Sequence, residues 1–424
     1  MRQGDVAPFT AEVRDGSRNL IDTAAVSWSV VPQTGGLISS DGSFVAYAPG
    51  SVSVVASADS SADTAVVVVS ARGLAGSFTV VGSAAPASRF TSDLWVHGTV
   101  AYTGSWGART DGGSLVWGNT LFVWDIRDSA NPTLSDSVLV DAATVNDVKV
   151  RADGVLAVIT HEGSRDSQNG ITLLDLSDQL QPMVISRFTD GLESGVHNVW
   201  VQGDYVYAVA DSLRVIDISD PQSPQLAASY LGGPSFLHDV YVRNGLAFLS
   251  HWNDGLIILD VGSGVAGGSP QAPVEIGRVA MESGQTHNAW YWPQAGYVFV
   301  GEEDFQTPGI MHVLDVSDLS KPMEVAWFEV SGSSPPHNFW LDEVNGVLYA
   351  AWYSEGLRAV DVTGRLLGSL DRQGREIASL KYGGAGSCPG DQSSATCTWA
   401  PQLHNGLIYL SDMNTGLWVV RLED

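Results

Sequence analysis

The chain has 424 residues, more than one hydrophobic core usually holds, so we expect two domains. Its formal net charge of −26 repels phosphate backbones and anionic lipid, which excludes nucleic acid as a partner and makes cation binding electrostatically favourable. No apolar run approaches the roughly 20 residues that a membrane-spanning helix needs. We therefore expect a soluble protein without a membrane-spanning segment, beginning after a removed export signal.

Residues 1–73 carry few charges, and valine alternates with serine or alanine, as in GSVSVVASA and TAVVVVSA. Strands of period two separated by short Gly/Asp turns predict a small β-sandwich.

The stretch around Trp28, with its DGSF and APGSVSV segments, resembles the bacterial immunoglobulin-like domains of surface proteins. The resemblance implies a spacer or adhesion module with Trp28 in its core. The alternative is a domain that only solubilises and positions the rest of the chain. Ala71-Arg72-Gly73 is the expected linker.

From about Gly76 onward, one unit recurs seven times: an inner strand, a tight turn with glycine, a second strand, a loop and a third strand. Four of the turns read Asp-Gly or Asn-Gly, a hairpin signal because the turn requires positive φ. The third strands start at Leu121, Ile171, Leu213, Leu256, Met311, Leu357 and Leu417. Four-stranded antiparallel sheets repeated at roughly 40–60 residues predict propeller blades, because each sheet buries its faces only against its neighbours.

The seventh unit ends after its third strand, whereas SFTVVGSAA at Ser77 precedes the first unit without a partner. We expect this strand to complete the last blade, which closes the ring and removes an exposed edge. The chain is thus predicted to be all-β, with an immunoglobulin-like sandwich over residues 1–73 and a seven-bladed β-propeller over residues 74–424.

The third-strand sequences, such as LRVIDI at Leu213 and LIILDV at Leu256, resemble the LVIVD repeat of bacterial extracellular propellers. The likeness covers about Gly76 to Asp424. It implies the fold but no particular activity, because propellers host many unrelated functions.

The only cysteines, Cys388 and Cys397, lie in one polar loop, SCPGDQSSATC. They are close enough to form a small disulfide ring, which would contribute roughly 2–3 kcal/mol of stability. Such a bond indicates an oxidising compartment, so we expect an extracellular, cell-surface or periplasmic protein. The alternative is two free loop thiols, since neither cysteine has the spacing of a zinc site.

Aligning the units on the turn glycine places one residue of each at the start of the inner strand, beside the central axis. These residues are Ser92, Asn146, His197, His238, His287, His337 and Thr398. Imidazole is the commonest metal ligand, so we predict that the four histidines hold one divalent transition metal or zinc ion. The units without histidine would leave one side open for water or substrate.

A second set of aligned residues opens the loops between the second and third strands, on the same face. These residues are Ser105, His161, Asp211, His251, Glu302, Trp352 and Asp412. We predict catalytic roles for His161, His251 and Glu302, with Glu162, Glu303 and Asp304 as further candidate acids or bases. An aromatic rim is expected from Trp106, Trp252, Phe305, Tyr353 and Trp399.

The column directly after the histidines is expected to be structural, because short polar side chains cap turns. It comprises Asp93, Asp147, Asn198, Asp239, Asn288 and Asn338. The histidines share this alternative, since a repeated residue can be a repeated scaffold device.

Two functions of different classes remain open, because the sequence has no phosphate loop, His-Glu-x-x-His, EF-hand or Gly-x-Ser-x-Gly motif. One is a metal-dependent enzyme, by analogy with propeller oxygenases and lyases that hold a metal with histidines. The other is a non-catalytic surface module that binds a glycan or protein through the loop face. A small molecule or glycan at that face is the expected ligand.

Overall fold

The computed structural model describes residues 1–86, 88–281, 284–306, 309–332, 334–384, 388 and 395–423. Regular structure in these residues is β-strand, apart from two 3-10 helices at Gln33–Gly35 and Asp371–Gln373. The prediction of an all-β chain is confirmed. No helix in the described ranges is long and apolar enough to cross a membrane.

Residues 1–73 form two three-stranded sheets, ordered β1-β4-β3 and β2-β5-β6 when the strands are numbered along the chain. The strands are β1 (Val6–Pro8), β2 (Ser27–Val31), β3 (Gly36–Ile38), β4 (Ser43–Ala46), β5 (Gly50–Ala58) and β6 (Ser61–Val69). Phe44, Val52 and Val54 are buried in one cluster, and the half-buried Trp28 packs against it. Trp28 thus contacts the core as expected, and the immunoglobulin-like assignment stays a prediction.

The remaining strands form seven sheets of the predicted repeat, numbered here along the chain, with each inner strand given first. The strand β7 (Ser77–Ala84) comes before them. Sheet 1 is β8 (Phe90–His97), β9 (Val100–Trp106), β12 (Thr120–Asp125) and β13 (Thr133–Leu139), with a hairpin, β10 (Ala108–Asp111) and β11 (Ser114–Trp117), inserted after β9. Sheet 2 is β14 (Val148–Val150), β15 (Leu156–His161), β16 (Gly170–Asp175) and β17 (Met183–Phe188). Sheet 3 is β18 (Val199–Gln202), β19 (Tyr205–Ala210), β20 (Ser212–Asp217) and β21 (Gln225–Tyr230).

Sheet 4 is β22 (Leu237–Arg243), β23 (Leu246–His251), β24 (Gly255–Asp260) and β25 (Val274–Val279). Sheet 5 is β26 (Thr286–Trp292), β27 (Tyr297–Glu302), β28 (Ile310–Asp315) and β29 (Met323–Glu329), extended by the parallel strand β33 (Gly368–Ser369). Sheet 6 is β30 (Phe339–Asp342), β31 (Val347–Ala351), β32 (Leu357–Asp361) and β34 (Glu376–Leu380). Sheet 7 is β35 (Thr398–His404), β36 (Leu407–Asp412), β37 (Gly416–Glu423) and β7.

The inner strands form a closed circle of contacts. Each inner strand contacts that of the next sheet, and β35 of sheet 7 contacts β8 of sheet 1. The strand β7 pairs antiparallel with β37, from Ser77 opposite Glu423 to Ala84 opposite Leu417, so the expected completion of the last sheet is confirmed. Because the circle is closed, residues at equivalent positions of different sheets meet around one axis.

Buried arginines connect the first 73 residues to sheet 6 and the segment after β32. Arg72, whose side chain is only 1% exposed, donates from Nε to Asp361 Oδ2 over 2.7 Å. Arg375, also buried, donates to the backbone oxygen of Gly4 over 2.7 Å. A buried ion pair that loses one partner costs about 3–5 kcal/mol, so these contacts fix how the two parts are joined.

Replacing Gly82 in β7 tests the closure of the circle. A β-carbon at Gly82 would lie 2.4 Å from the backbone oxygen of Ser129, in the connection between β12 and β13 of sheet 1. We expect Gly82→Val to lower the free energy of unfolding by about 1–3 kcal/mol, measured by denaturant titration. Ser83→Val, at the exposed neighbouring position, should stay within about 0.5 kcal/mol of the parent protein. Equal stability of the two variants would mean that β7 does not pack against sheet 1.

Candidate metal centre

The four predicted histidines lie side by side around the axis, one from each of sheets 3 to 6. The ring centroids of His197 and His238 are 4.5 Å apart. Those of His238 and His287 are 4.4 Å apart, and those of His287 and His337 are 4.2 Å apart. The closed circle of inner strands therefore brings these side chains together.

Two of these histidines occupy β-bulges at the start of the inner strand. In sheet 4, Leu237 pairs with His251 and Asp239 pairs with Ser250, so His238 lies between them without an opposite residue. The pairing in sheet 5 skips His287 in the same way. A bulge redirects a side chain that would otherwise obey the strand's alternation, and bulges are common beside functional sites.

The strand pairing in sheet 7 shows that the alignment on turn glycines is wrong there by one residue. Thr398 pairs with Asp412 and Ala400 with Ser411, so the unpaired residue is Trp399 and not Thr398. The Trp399 indole centroid lies 4.3 Å from that of His337.

A second tryptophan completes the circle of side chains. Trp106 lies 5.2 Å from Trp399 and 6.2 Å from His197 between ring centroids. The side that we expected to be open is therefore closed by two indoles.

Backbone hydrogen bonds from these residues join neighbouring sheets. Nδ1 of His238 donates to the backbone oxygen of His287 over 3.1 Å, and Nδ1 of His337 donates to that of Trp399 over 2.6 Å. Asn146, at the same position of sheet 2, donates its amide to the backbone oxygen of His197 over 2.8 Å. The imidazoles of His238 and His337 thus serve the scaffold through Nδ1, and this tautomer leaves their Nε2 lone pairs for a ligand.

His238, His287 and Glu303 form a group whose ligand atoms all lie within 4.8 Å of one another. Oε2 of Glu303 is 3.8 Å from Nε2 of His238 and 3.7 Å from Nε2 of His287. Two ligands of a tetrahedral zinc ion, each about 2.1 Å from the metal, are about 3.4 Å apart. The two Glu303–histidine distances exceed this spacing by only about 0.3–0.4 Å. The ligand nitrogens of the two histidines, which lie within 4.8 Å of each other, would move closer together around an ion.

Tyr353 holds the carboxyl group in this orientation. Its hydroxyl donates to Oε1 of Glu303, which leaves Oε2 facing the two histidines. The Tyr353 ring packs 4.8 Å from that of His337, so the same side chain contacts both the acid and the histidine row.

Burial shifts the pKa values of the histidines and the glutamate in this centre. It holds the pKa of His238 and His287 well below the usual range, and the neighbouring imidazoles add to the effect. Burial also lowers the pKa of His337 to about 4. It raises the pKa of Glu303 to about 7, against the hydrogen bond from Tyr353. Neutral imidazole is the form that binds metal, and a cation would stabilise the Glu303 carboxylate.

His197 differs from the other three histidines because both of its ring nitrogens have protein partners. Nδ1 lies 2.7 Å from Oε1 of Glu162, and Nε2 lies 3.3 Å from the amide nitrogen of Asn146. Burial disfavours the charged ring, but the Glu162 carboxylate outweighs it and raises the pKa of His197. This histidine lies at the rim, with 29% of its side chain exposed.

The structure does not bring His161, His251 and Glu302 to the histidine row. His161 is buried, with Nε2 2.9 Å from the hydroxyl of Thr172 on the neighbouring strand. His251 is fully buried, and Oε1 of Glu302 lies 2.9 Å from Nε2 of His312 within sheet 5. Their catalytic roles stay predictions.

The side chains that contact the histidine row belong to the residues that directly follow the aligned loop positions, such as His161 and Glu302. Glu162 contacts His197, and Glu303 lies near His238 and His287. The same position supplies the rings that pack on the row, namely Trp106, Trp252 and Tyr353. Successive residues of a strand point to opposite faces, so an alignment that chooses the wrong one of two neighbours selects buried side chains.

Two residues of the column directly after the histidines make scaffold contacts, which join sheets and do not cap turns as expected. Asp147 accepts a hydrogen bond from the backbone nitrogen of Val199 over 2.9 Å, and Asn198 accepts one from that of Val240 over 3.4 Å. Each of these side chains links its own sheet to the next.

The predicted disulfide is present between Cys388 and Cys397, while residues 389–394 of its loop lie outside the described residues. Cys397 is fully buried in the cluster that contains Trp399 and Tyr353. The bond therefore joins the loop to the side of the histidine row that the indoles close.

Residues 195–232 match the family model of the LVIVD repeat. The matched segment begins just before His197 and spans all four strands of sheet 3. No curated protein matches the chain.

His312 gives a pH-dependent prediction. Its nitrogens lie 2.9 Å from Oε1 of Glu302 and 3.0 Å from Oε1 of Glu324. Burial opposes a charge here, but the two carboxylates outweigh it and raise the pKa of His312 to about 9. Because this folded-state pKa lies above the unfolded value of about 6.5, the stabilisation is complete below pH 6.5 and is lost as the pH rises through about 9.

We therefore expect the free energy of unfolding to fall by about 1–2 kcal/mol more in the parent protein than in His312→Gln between pH 6 and pH 9.5. Glu324 is partly exposed, which places the figure below the full linkage value. Denaturant midpoints at the two pH values measure the difference. Parallel pH profiles for the two proteins would show that His312 is not held as an imidazolium.

Proposed function

We propose that the chain is an extracellular seven-bladed β-propeller, with an immunoglobulin-like domain over residues 1–73, whose axis holds a divalent metal ion. The closed circle of seven sheets and the LVIVD match at residues 195–232 support a propeller over residues 74–424. The Cys388–Cys397 disulfide fits an oxidising compartment.

The observation that carries the metal proposal is the convergence of His238, His287 and Glu303. Two imidazoles and one carboxylate are a ligand set of catalytic zinc sites, in which a fourth position takes water or substrate. Nδ1 of His238 is already held by a backbone carbonyl, which fixes the ring and directs Nε2. A zinc or similar ion bound there would act as a Lewis acid and lower the pKa of a bound water.

The remaining histidines differ in their suitability as additional ligands. The ring of His337 lies 4.2 Å from that of His287, and its Nδ1 bond leaves Nε2 available. Nε2 of His197 faces the amide nitrogen of Asn146. We therefore propose His337 as the next ligand. We propose that His197 is not a ligand but a residue at the rim of the centre, where it positions the Glu162 side chain.

A non-catalytic surface module is the second candidate function, and one observation favours it. A depression beside His238 is lined by Glu162, Asp211, Phe236 and Trp252. Phe236 is 48% exposed and stacks on Trp252 at 5.1 Å between centroids. An exposed aromatic face beside carboxylates suits a glycan or protein ligand, which a non-catalytic surface module would bind without metal chemistry.

Metal titration tests the proposal on untagged protein that has been stripped with chelator. We expect one Zn²⁺ or Co²⁺ per chain by calorimetry. His238→Ala, His287→Ala and Glu303→Gln should each weaken binding by more than about tenfold, because each removes one ligand atom. His404→Ala, at the last residue of β35 and far from the histidine row along that strand, should leave binding unchanged. Absence of a stoichiometric ion in the parent protein would contradict the proposal.

The other two histidines give a second comparison. His337→Ala is expected to weaken binding more than His197→Ala, because His197 already has a partner at each nitrogen. Tyr353→Phe should weaken binding less than Glu303→Gln, since it frees the carboxyl group without removing it. An equal loss in His197→Ala and His238→Ala would support the four-histidine site predicted from the sequence.

A further inference from the structure

The axis has a second end, three residues further along the inner strands. Five of the seven inner strands carry an aromatic residue there: Trp95, Trp200, Tyr241, Trp290 and Trp340. Neighbouring rings around this circle have centroids between 4.6 and 6.1 Å apart, and the circle closes from Trp340 back to Trp95. We call these five side chains the axial cage.

The pocket that the cage surrounds has a polar floor. Asp93, Asp239 and Lys149 line it, together with the amides Asn198, Asn288 and Asn338. None of the described residues lining it belongs to the first 73.

One ammonium group is already held beside the cage. Lys149 Nζ lies 3.0 Å from Oδ2 of Asp93, pairs with Asp147 and sits 5.5 Å from the Trp95 ring centroid. Lys149 occupies the equivalent position of sheet 2, which has no aromatic residue there. Lys149 is thus paired with two carboxyl groups, and Asp239 of sheet 4 brings a further carboxyl group to the same pocket.

The dimensions of the cage suit a small cation. Five rings spaced as observed place each centroid about 4.5 Å from the centre of the circle, within the roughly 6 Å over which an aromatic face attracts a cation. The aromatic faces are negative, and an alkylammonium ion gives up less hydration than a metal ion does when it enters such a site. The carboxyl group of Asp239 lines the same pocket and can supply a negative counter-charge to such an ion.

We propose that the axial cage binds an alkylammonium group, with Asp239 as its counter-charge. The site lies at the opposite end of the inner strands from Glu303 and shares no ligand atom with the metal centre. It does not depend on the proposed metal function, and it gives the chain a second ligand of defined chemistry.

The probe is choline, compared with 3,3-dimethyl-1-butanol, its uncharged analogue of the same shape. Each is titrated into the metal-free full chain at constant ionic strength and monitored by calorimetry and tryptophan fluorescence. We expect choline to bind at least tenfold more tightly than the alcohol, because only choline gains the cation–π attraction. Equal affinities for the two compounds would show that the cage is only an apolar pocket. If neither compound binds, the side chains of the cage fill the space themselves. Both results overturn the proposal.

Substitutions inside and outside the cage test where choline binds. Trp290→Leu and the isosteric Asp239→Asn should each weaken choline binding at least tenfold. Trp418→Leu, a tryptophan of sheet 7 that packs on Tyr382, and Glu303→Gln should not change it. If Trp290→Leu fails to fold, Asp239→Asn still decides the question, with near-ultraviolet circular dichroism as the check on its fold. Parent-like affinity in a folded Asp239→Asn protein would overturn the assigned counter-charge and with it the proposal.

Discussion

The hydrogen bond from the start of one inner strand to the backbone oxygen of the next determines how the axis is built. It joins neighbouring sheets, and it also fixes the side chain that makes it. Asn146 forms this bond with an amide, whereas His238 and His337 form it with Nδ1. An imidazole is the one side chain that can satisfy this scaffold bond and still offer a second nitrogen to the axis. The scaffold and ligand interpretations of the histidines are therefore compatible.

The loop after β27 supplies what the inner strands lack, a carboxyl group above the histidines. Its orientation depends on Tyr353, which has a positive φ of 38°. A non-glycine residue in this region costs of order 1–3 kcal/mol, and such strain is typical of functional sites. The surrounding rings of Phe305, His337 and Trp399 pack against Tyr353 and hold it in place. Local strain at one residue is thus offset by packing that also positions Glu303.

Repetition made the larger features predictable from the sequence. The unpaired strand at Ser77 had to find a partner, and β37 at the other end of the chain provides it. The histidine row was predictable by aligning units that share one backbone path. The same alignment failed at Trp399, because a turn glycine marks the far end of the inner strand and does not show which residue at its start is left unpaired. It failed again at Glu303, because neighbouring residues of a strand point to opposite sides.

Two other features were not predicted from the sequence, for a different reason. The axial cage was visible as a repeated aromatic residue three positions after the histidines, but repeated aromatics are also typical of a packed core. The partners of His312 come from β27 and β29, and only the pairing register brings Glu302 and Glu324 to it. Sequence periodicity predicts which side of a strand a residue occupies, and tertiary register decides which side chains meet there.

Anomalous diffraction from crystals equilibrated with zinc tests the central claim most directly. We predict a peak at the axis about 2.1 Å from Nε2 of His238, Nε2 of His287 and Oε2 of Glu303, and its absence in Glu303→Gln crystals. A peak bound only elsewhere, or no peak at saturating zinc, would contradict the account and leave the histidine row as part of the scaffold.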